Sequence, residues 1–453
     1  MVGPELIQDF FGTIEELLDL YIKDKMAVPK NKYNFNTRTI HAGSAPDPVT
    51  GARSTPIYQT TSYVFDSTEH AASLFNLQNF GFIYGRLTNP TVSVLEERLA
   101  NLENGRAAVA CSTGHAAQLL ALHPLLEPGD RIIASKNLYG GSITQFSHTF
   151  KKFGWGVDFV DGTNVNNIKK IINPKHKCIF IESLSNPGGV ILDIEKISKI
   201  ANSYKIPLIV DNTMASPFLC KPFNWGADII THSMTKFIGG HGNSMGGIVI
   251  ESGNFDWFSS NKFPSLTSPT ESYHGLIFAE TFGDFAYSMK LRADTLRDLG
   301  STLSPTNAFH FITGLETLHI RMERHCENAN KVANFLDKHK KISWVSYAGL
   351  KSNAYNTLAK KYMGNGVGPV FTFGVKKPYS GKEIINNVKI FSHVANVGDT
   401  RSLILHPAST THNQLTEKQK SEAGAGQEVI RVSIGLEHVD DLIEDLRNAL
   451  KEI

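Results

Sequence analysis

The segment richest in chemistry is Ala227-Asp-Ile-Ile-Thr-His-Ser-Met-Thr-Lys236, which runs on into Phe237-Ile-Gly-Gly-His-Gly-Asn-Ser-Met-Gly-Gly247. It reads as a buried strand leading to a lysine among small hydroxyl residues and glycines. Such a lysine is costly to bury as a cation, but as a neutral amine it can form a Schiff base with a carbonyl cofactor or substrate. Ser233 and Thr235 would then donate hydrogen bonds to a phosphate. Taken alone, the segment also fits a surface lysine at a strand end.

Ile206-Pro-Leu-Ile-Val-Asp211 is a second apolar run that ends in a carboxylate, and ligands of open α/β sheets lie beyond the carboxyl ends of strands. A carboxylate placed there can keep a heteroaromatic nitrogen protonated, as the pyridinium of pyridoxal phosphate requires; a helix cap or a structural ion pair is the other use. Ser112-Thr113-Gly114-His115 falls between a strand and a helix, so the backbone N–H groups of Gly114 and His115 should form an anion site. The backbone suffices for that role, and the His115 ring is given no chemistry. Tyr139, followed by Gly140 and Gly141, could stack on a flat cofactor while its hydroxyl handles protons, or sit in a core. Gly240, Gly242 and Gly246 have the wrong spacing for a dinucleotide loop, and neither GxxxxGK[ST] nor HExxH occurs.

These residues need a frame to converge. The chain has 453 residues with 41% hydrophobic, 19% charged and 10% aromatic side chains, a globular composition. Forty-five Lys and Arg against 43 Asp and Glu leave a net charge of +2, which argues against a nucleic-acid partner. Cys111, Cys178, Cys220 and Cys326 are too widely spaced for a zinc pattern, so no metal is expected and a reducing compartment is. Without a long apolar run, and with Glu5, Asp9, Glu15, Glu16, Asp19 and Asp24 near the start, neither membrane insertion nor a targeting peptide is expected, and the location read is cytoplasmic.

From about residue 96 helical and strand patterns alternate, which calls for a mostly parallel sheet covered by helices. Strands are expected at Arg106 to Cys111, Arg131 to Ser135, Cys178 to Glu182, Pro207 to Val210, Asp228 to Thr231 and Gly247 to Ile250. Helices are expected at Val94 to Leu102, at His115 to Leu126, and from Ile194 to Tyr204 behind Asp193 as cap. A second unit is expected from about Ser304, opening with a long helical pattern to Leu336. Strands at Val370 to Val375, Ser402 to Leu405 and Val429 to Ile434 follow, and a last helix carries Leu442, Leu446 and Leu450. Leu6, Ile7, Phe10, Phe11, Ile14, Leu17, Leu18, Tyr21 and Ile22 predict an N-terminal amphipathic helix, packed on its own oligomer or docking another protein.

Together these pieces resemble the Cys/Met-metabolism family of pyridoxal-phosphate enzymes, over about residues 37 to 449. The resemblance rests also on Pro56-Ile-Tyr-Gln-Thr-Thr-Ser-Tyr63, Tyr84-Gly-Arg86 with Asn89-Pro-Thr91, Glu182 to Pro187, His406-Pro-Ala408 and Arg431-Val-Ser-Ile-Gly435. It implies an α/β fold of type I: a mostly parallel seven-stranded sheet with a smaller α+β C-terminal domain. The divisions would be an N-terminal helix and linker (1–35), an arm reaching a neighbouring subunit (36–95), a cofactor domain (96–303) and a C-terminal domain (304–453). The resemblance further implies that Lys236 carries pyridoxal 5'-phosphate and shuttles protons, that Asp211 pairs with the ring nitrogen and that Tyr139 stacks on the ring. Gly114, His115, Ser233 and Thr235 would hold the phosphate, Tyr84 and Arg86 would reach the neighbour's phosphate, Asn186 would lie near the ring hydroxyl, and Arg431 would clamp a substrate carboxylate. A dimer or homotetramer is therefore implied.

Within the family, Phe263 to Gly275, Leu296-Arg-Asp-Leu-Gly300 and Ala395 to Ser402 look like the sulfhydrylase branch, as do Asn396 in place of a common serine and Gly141 in place of the cysteine of methionine γ-lyases. Asn396 would thus help bind substrate. Gly85, often serine in the family, is a departure without bearing on the carbonyl chemistry. The implied reaction is γ-replacement on O-acetyl-L-homoserine by sulfide or methanethiol, forming homocysteine or methionine and acetate. Cystathionine γ-synthase or methionine γ-lyase activity in the same site is the near alternative, and an enzyme-like fold kept as a binding or scaffolding protein the distant one.

Overall fold

The computed structural model describes residues 32–422 and 424–453, so the expected helix over 6–22 lies outside the described residues. Seven strands form the first sheet: β1 (Ala107–Cys111), β2 (Arg131–Ser135), β3 (Gly156–Val160), β4 (His176–Glu182), β5 (Leu208–Asp211), β6 (Ile229–Ser233) and β7 (Gly247–Glu251). Their order is β1-β7-β6-β5-β4-β2-β3. The pairings from β3 through to β6 are parallel, while β7 runs antiparallel to both β6 and β1. Helical crossovers make the parallel pairs possible. Between β6 and β7 there is only a loop, so β7 has to return in the opposite direction, and that loop carries Lys236.

The apolar runs read from sequence form strands where expected, with ends shifted by one or two residues. Three strands escaped that reading, β3, β8 (Ile342–Ser346) and β10 (Ser392–His393). All are sheet edges whose side chains are mostly half-buried or exposed, so none shows a continuous apolar run. The helix Pro90–Glu103 starts a turn earlier than its apolar periodicity, because Asn89 Oδ1 accepts from the N–H groups of Thr91 and Val92 and Pro90 opens the first turn. Asp193 caps Ile194–Ser203 as expected, through Lys196 N–H at 3.2 Å.

The second sheet takes β8, β9 (Val370–Val375), β10 (Ser392–His393), β11 (Leu403–Leu405) and β12 (Val429–Ser433) in the order β10-β11-β12-β9-β8. All its pairings are antiparallel except β10 with β11. The terminal helix Val439–Lys451 buries Leu442, Leu446 and Leu450 against it. The helical run expected from Ser304 is two helices, Pro305–Glu316 and Leu318–Asp337. The second of these joins the two cores: Leu318, Met322 and Cys326 pack with the first sheet, and Ala329, Val332, Ala333 and Leu336 with the second. The passage between cores therefore lies inside a helix, beyond Ser304, and one rigid rod couples the two sheets.

Arg98 is fully buried and ties three segments together. Its Nε donates to the Ala42 carbonyl at 2.9 Å, Nη1 to the Ile312 carbonyl at 3.3 Å and Nη2 to Ser44 Oγ. Among the described residues no helix is long and apolar enough to cross a membrane, no His, Cys, Asp and Glu cluster could hold a metal ion, and all four cysteines are free and buried.

Two buried carboxylates at strand ends make stability depend on pH. Asp228 accepts from the Leu208 N–H and Glu251 from the Ser288 N–H, and burial pushes each up to about 7. The folded state therefore holds protons that the unfolded chain gives up near pH 4. Their stabilisation is complete below that pH and is lost as pH rises through about 7, by on the order of 2 to 4 kcal/mol each. Urea midpoints measured from pH 5 to 8 should fall, and Asp228→Asn should flatten the slope. A variant with the wild-type slope would show that Asp228 is ionised throughout.

Candidate active site

The carboxyl ends of β4, β5 and β6 place Glu182, Asp211 and Ser233 along one edge of the first sheet, with Glu182 and Asp211 directly paired in register. Beyond this edge lies a cavity of about 380 Å³. The second sheet closes it with Arg431 of β12 and with the loop Ala395 to Val397. Gly398, at φ +80°, lets this loop press on the lysine loop: a Cβ there would lie 2.8 Å from the Phe237 nitrogen. Of the residues expected in the site, Gly114, His115, Tyr139, Asn186, Asp211, Ser233, Thr235, Lys236, Asn396 and Arg431 all line this cavity.

Lys236 Nζ donates to Asn396 Oδ1 at 2.6 Å. Burial, reinforced by the nearby Arg431 guanidinium, pushes this amine down to about 8, so it exchanges its proton easily near neutral pH. Arg431 is 3% exposed, and burial holds it down to about 10, so it stays a cation. Its Nη2 donates to the Asn396 carbonyl at 2.9 Å and its Nη1 to Asn186 Oδ1 at 3.3 Å. Asp211 accepts from the Thr213 N–H at 3.0 Å and from Gln118 Nε2 at 3.5 Å, while that amide also donates to Ser142 Oγ.

These residues fit pyridoxal phosphate. The helix Gly114–Leu122, whose Ala116 N–H is capped by Thr113 Oγ1, starts at the cavity wall with Gly114 and His115, and Gly114 lies so near Ser233 that a Cβ would come within 2.6 Å of the serine's Cβ. Only glycine allows that approach of helix end to hydroxyl, which is the arrangement an anion needs. Thr235 Oγ1 meets the Gly246 backbone, accepting from its N–H at 3.2 Å. An aldehyde carbon could meet Lys236, and a ring nitrogen Asp211, in the same cavity.

Tyr84 and Arg86 stand apart. Arg86 donates to the Arg297 carbonyl, and both residues line a separate apolar pocket with Tyr273. The sulfhydrylase-like segment also lies there: Tyr273 donates to the Ala293 carbonyl at 2.7 Å and accepts from Arg297. His115, whose ring is given no chemistry from sequence, lines the cavity.

Sequence reasoning missed Glu182 as a structural hub. Its Oε1 accepts from the Tyr139 N–H at 2.7 Å and its Oε2 from the Asn186 N–H at 3.2 Å. Burial, then the Asp211 charge, hold it well above the usual carboxylate range. The signal available was its place at the end of an apolar strand, the same signal that singled out Asp211. Gln118, Ser142, Thr213 and Thr411 carried none, being polar residues without distinctive spacing. Glu182→Ala should leave two buried N–H groups unpaired and cost on the order of 2 to 4 kcal/mol, read as a lower urea midpoint, with Glu182→Gln costing less. Equal midpoints for wild type and Ala would mean that water replaces both bonds.

Residues 36–451 match the family of Cys/Met metabolism PLP-dependent enzymes. The O-acetyl-L-homoserine sulfhydrylase of Leptospira meyeri is 48% identical over 94% of this chain and 98% of its own. The homocysteine synthase of Schizosaccharomyces pombe is 44% identical over 94% of this chain and 100% of its own. A proposed O-acetylhomoserine (thiol)-lyase from Campylobacter jejuni, whose crystal structure contains a pyridoxyl-lysine monophosphate, superposes with a TM-score of 0.90 at 43% identity, covering 92% of this chain and 100% of its own. With a lysine, a carboxylate and an anion cradle converging at one sheet edge, and with that likeness along nearly the whole chain, the protein belongs to the Cys/Met-metabolism family of pyridoxal-phosphate-dependent enzymes.

Proposed function

We propose that the protein catalyses γ-replacement on O-acetyl-L-homoserine, with sulfide or methanethiol as nucleophile, forming L-homocysteine or methionine and acetate. The observation that carries this reading is the Lys236 amine, held near neutrality against Asn396 and within one cavity with Asp211 and Arg431. The relatives named as sulfhydrylase and homocysteine synthase supply the substrate class.

Pyridoxal phosphate bound at Lys236 supplies an electron sink for charge developing at the substrate Cα. Asp211 would keep the ring nitrogen protonated, and the Gly114 and His115 N–H groups with Ser233 and Thr235 would hold the phosphate. Arg431 takes the substrate carboxylate in its guanidinium fork, with Asn186 and Asn396 fixing that fork from either side. Fixing the carboxylate orients the Cα–H bond toward the Lys236 amine, which removes the proton and returns it later in turnover. Tyr139, which lines the cavity, would cover the ring, and its hydroxyl would assist departure of acetate.

The active unit in this reading is a dimer or homotetramer. Tyr84 and Arg86 lie on a segment whose Ile57, Val64, Phe75, Phe80 and Phe82 are exposed, an apolar surface fit to be covered by a neighbouring subunit. From there they reach the neighbour's phosphate, so that 36–95 acts as an arm to the cofactor domain 96–303, and 304–453 completes the site. The four free cysteines accord with work in the cytoplasm.

Purified protein given O-acetylhomoserine and sulfide should form homocysteine and acetate in equal amounts; γ-elimination of L-methionine as the dominant activity would favour a lyase. Lys236→Ala should lower turnover by at least a thousandfold, and well-folded variant with normal turnover would sink the assignment. Mixed dimers of Arg86→Ala and Lys236→Ala chains should recover part of the activity lost in each parent. No recovery in verified mixed dimers would place Arg86 in its own subunit's site.

A further inference from the structure

A second chamber of about 380 Å³ adjoins the lysine cavity, and the two share His115, Tyr139 and Thr411. Its far wall is polar and uncharged: Thr144, Gln145, Thr149, Thr410 and Gln414. Gln145–Thr149 forms a π-helical turn, a geometry often found at functional sites. Of the described side chains lining this chamber only His115 and Tyr139 carry an ionisable group.

His115 is exposed and stands edge to face with Tyr139, with ring centroids 6.1 Å apart. Gln145 Nε2 donates to the His115 carbonyl at 3.1 Å, and His115 lines both cavities. Gly141 makes this placement possible. A Cβ at that position would lie 2.5 Å from the Tyr139 ring and 2.9 Å from His115 Nε2, so any larger residue would push the two rings apart. The other nearby imidazole, His412, is buried beyond Gly140, and burial with the Arg431 and Lys420 charges pushes it down to about 4. It is no base at neutral pH.

We infer that the second chamber admits the sulfur nucleophile and that the His115 imidazole takes the S–H proton of a thiol as its sulfur attacks. The inference deepens the γ-replacement reading and rests on it. In the step, the thiol gives its proton to a His115 ring nitrogen while a sulfur lone pair forms the bond to Cγ, whose bond to the acetate oxygen has already broken with loss of a Cβ proton; the Cβ–Cγ π pair moves to Cβ, which regains a proton. The imidazolium then releases the proton to solvent, so thiol and ester become thioether, acetate ion and one proton. A base matters most for alkanethiols: the thiolate is the nucleophile, and methanethiol is far less ionised at neutral pH than hydrogen sulfide.

The test compares transfer rates with sulfide and with methanethiol on the holoenzyme. His115→Gln should lower kcat/KM for methanethiol at least tenfold more than for sulfide, and added imidazole should restore part of the methanethiol rate. Thr144→Phe, which narrows the chamber without touching the rings' backbone, should raise KM for methanethiol several-fold with KM for O-acetylhomoserine unchanged. Equal losses on both nucleophiles, or a Thr144→Phe enzyme with wild-type KM for methanethiol, would overturn the inference. So would a wild-type enzyme that uses sulfide and no alkanethiol. Wild-type protein that transfers to neither nucleophile defeats the functional reading itself, and this inference with it.

Discussion

Two basic side chains buried in one cavity set the terms for the rest of the molecule. Lys236 and Arg431 both lose hydration, and the Arg431 charge further disfavours that of the lysine. Removing a cation from water is expensive unless acceptors replace the solvent. A single residue supplies the main replacement for both: Asn396 offers its side-chain oxygen to Lys236 and its backbone oxygen to Arg431. The imbalance is resolved by the stronger acid, the lysine ammonium, yielding its proton. Arginine keeps its proton at any ordinary pH, so the lysine becomes the group whose proton is easily lost, which is the state a Schiff-base amine needs.

This arrangement requires the two sheets to meet at one edge. Lys236 comes from the β6–β7 loop, Arg431 from the middle of β12, and Asn396 from the loop before β11. Their alignment is held by the Leu318–Asp337 helix, which packs in both cores, and by backbone contacts such as the Thr400 N–H to the Gly240 carbonyl at 2.9 Å. Arg321 reinforces the joint from the helix, donating to the Phe237, Ile238 and Gly314 carbonyls. A shift of either sheet would therefore reach the amine directly.

Much of this was legible in the sequence because the first sheet is mostly parallel. Strands covered on both faces read as unbroken apolar runs, and the polar residue at the end of such a run marks the ligand edge. Lys236, Asp211 and Ser233 stood out for that reason. Edge strands β3 and β8 did not, since half-burial breaks the run. Glu182 obeyed the strand-end rule as well as Asp211 does, yet its use of both oxygens on backbone N–H groups depends on how the chain turns after Tyr139 and Asn186, which no side-chain pattern reports. The placement of Asn396 and Arg431 opposite the lysine came from resemblance alone, because it depends on how two separate sheets dock. Likewise the facing of His115 toward Tyr139 depends on an absent Cβ at Gly141, which a sequence records only as one more glycine.

Below the sheet edge a buried network fixes the distance between the two ends of the proposed cofactor site. Glu103 Oε1 lies 2.7 Å from His232 Nε2 and accepts from Asn212 Nδ2 at 2.7 Å, all three residues being fully shielded from solvent. Asn212 in turn accepts from Ser183 Oγ at 2.8 Å and donates to the Cys220 carbonyl at 3.0 Å. Asn212 follows Asp211, assigned to the ring nitrogen, and His232 precedes Ser233, assigned to the phosphate. One carboxylate oxygen thus grips the chain neighbours of both groups from beneath. Because adjacent strand residues point to opposite faces, gripping one side chain below the sheet orients the next one above it. The spacing between carboxylate and hydroxyl is then set by a solvent-free contact that salt cannot screen and water cannot enter, rather than by the cavity's own more exposed walls.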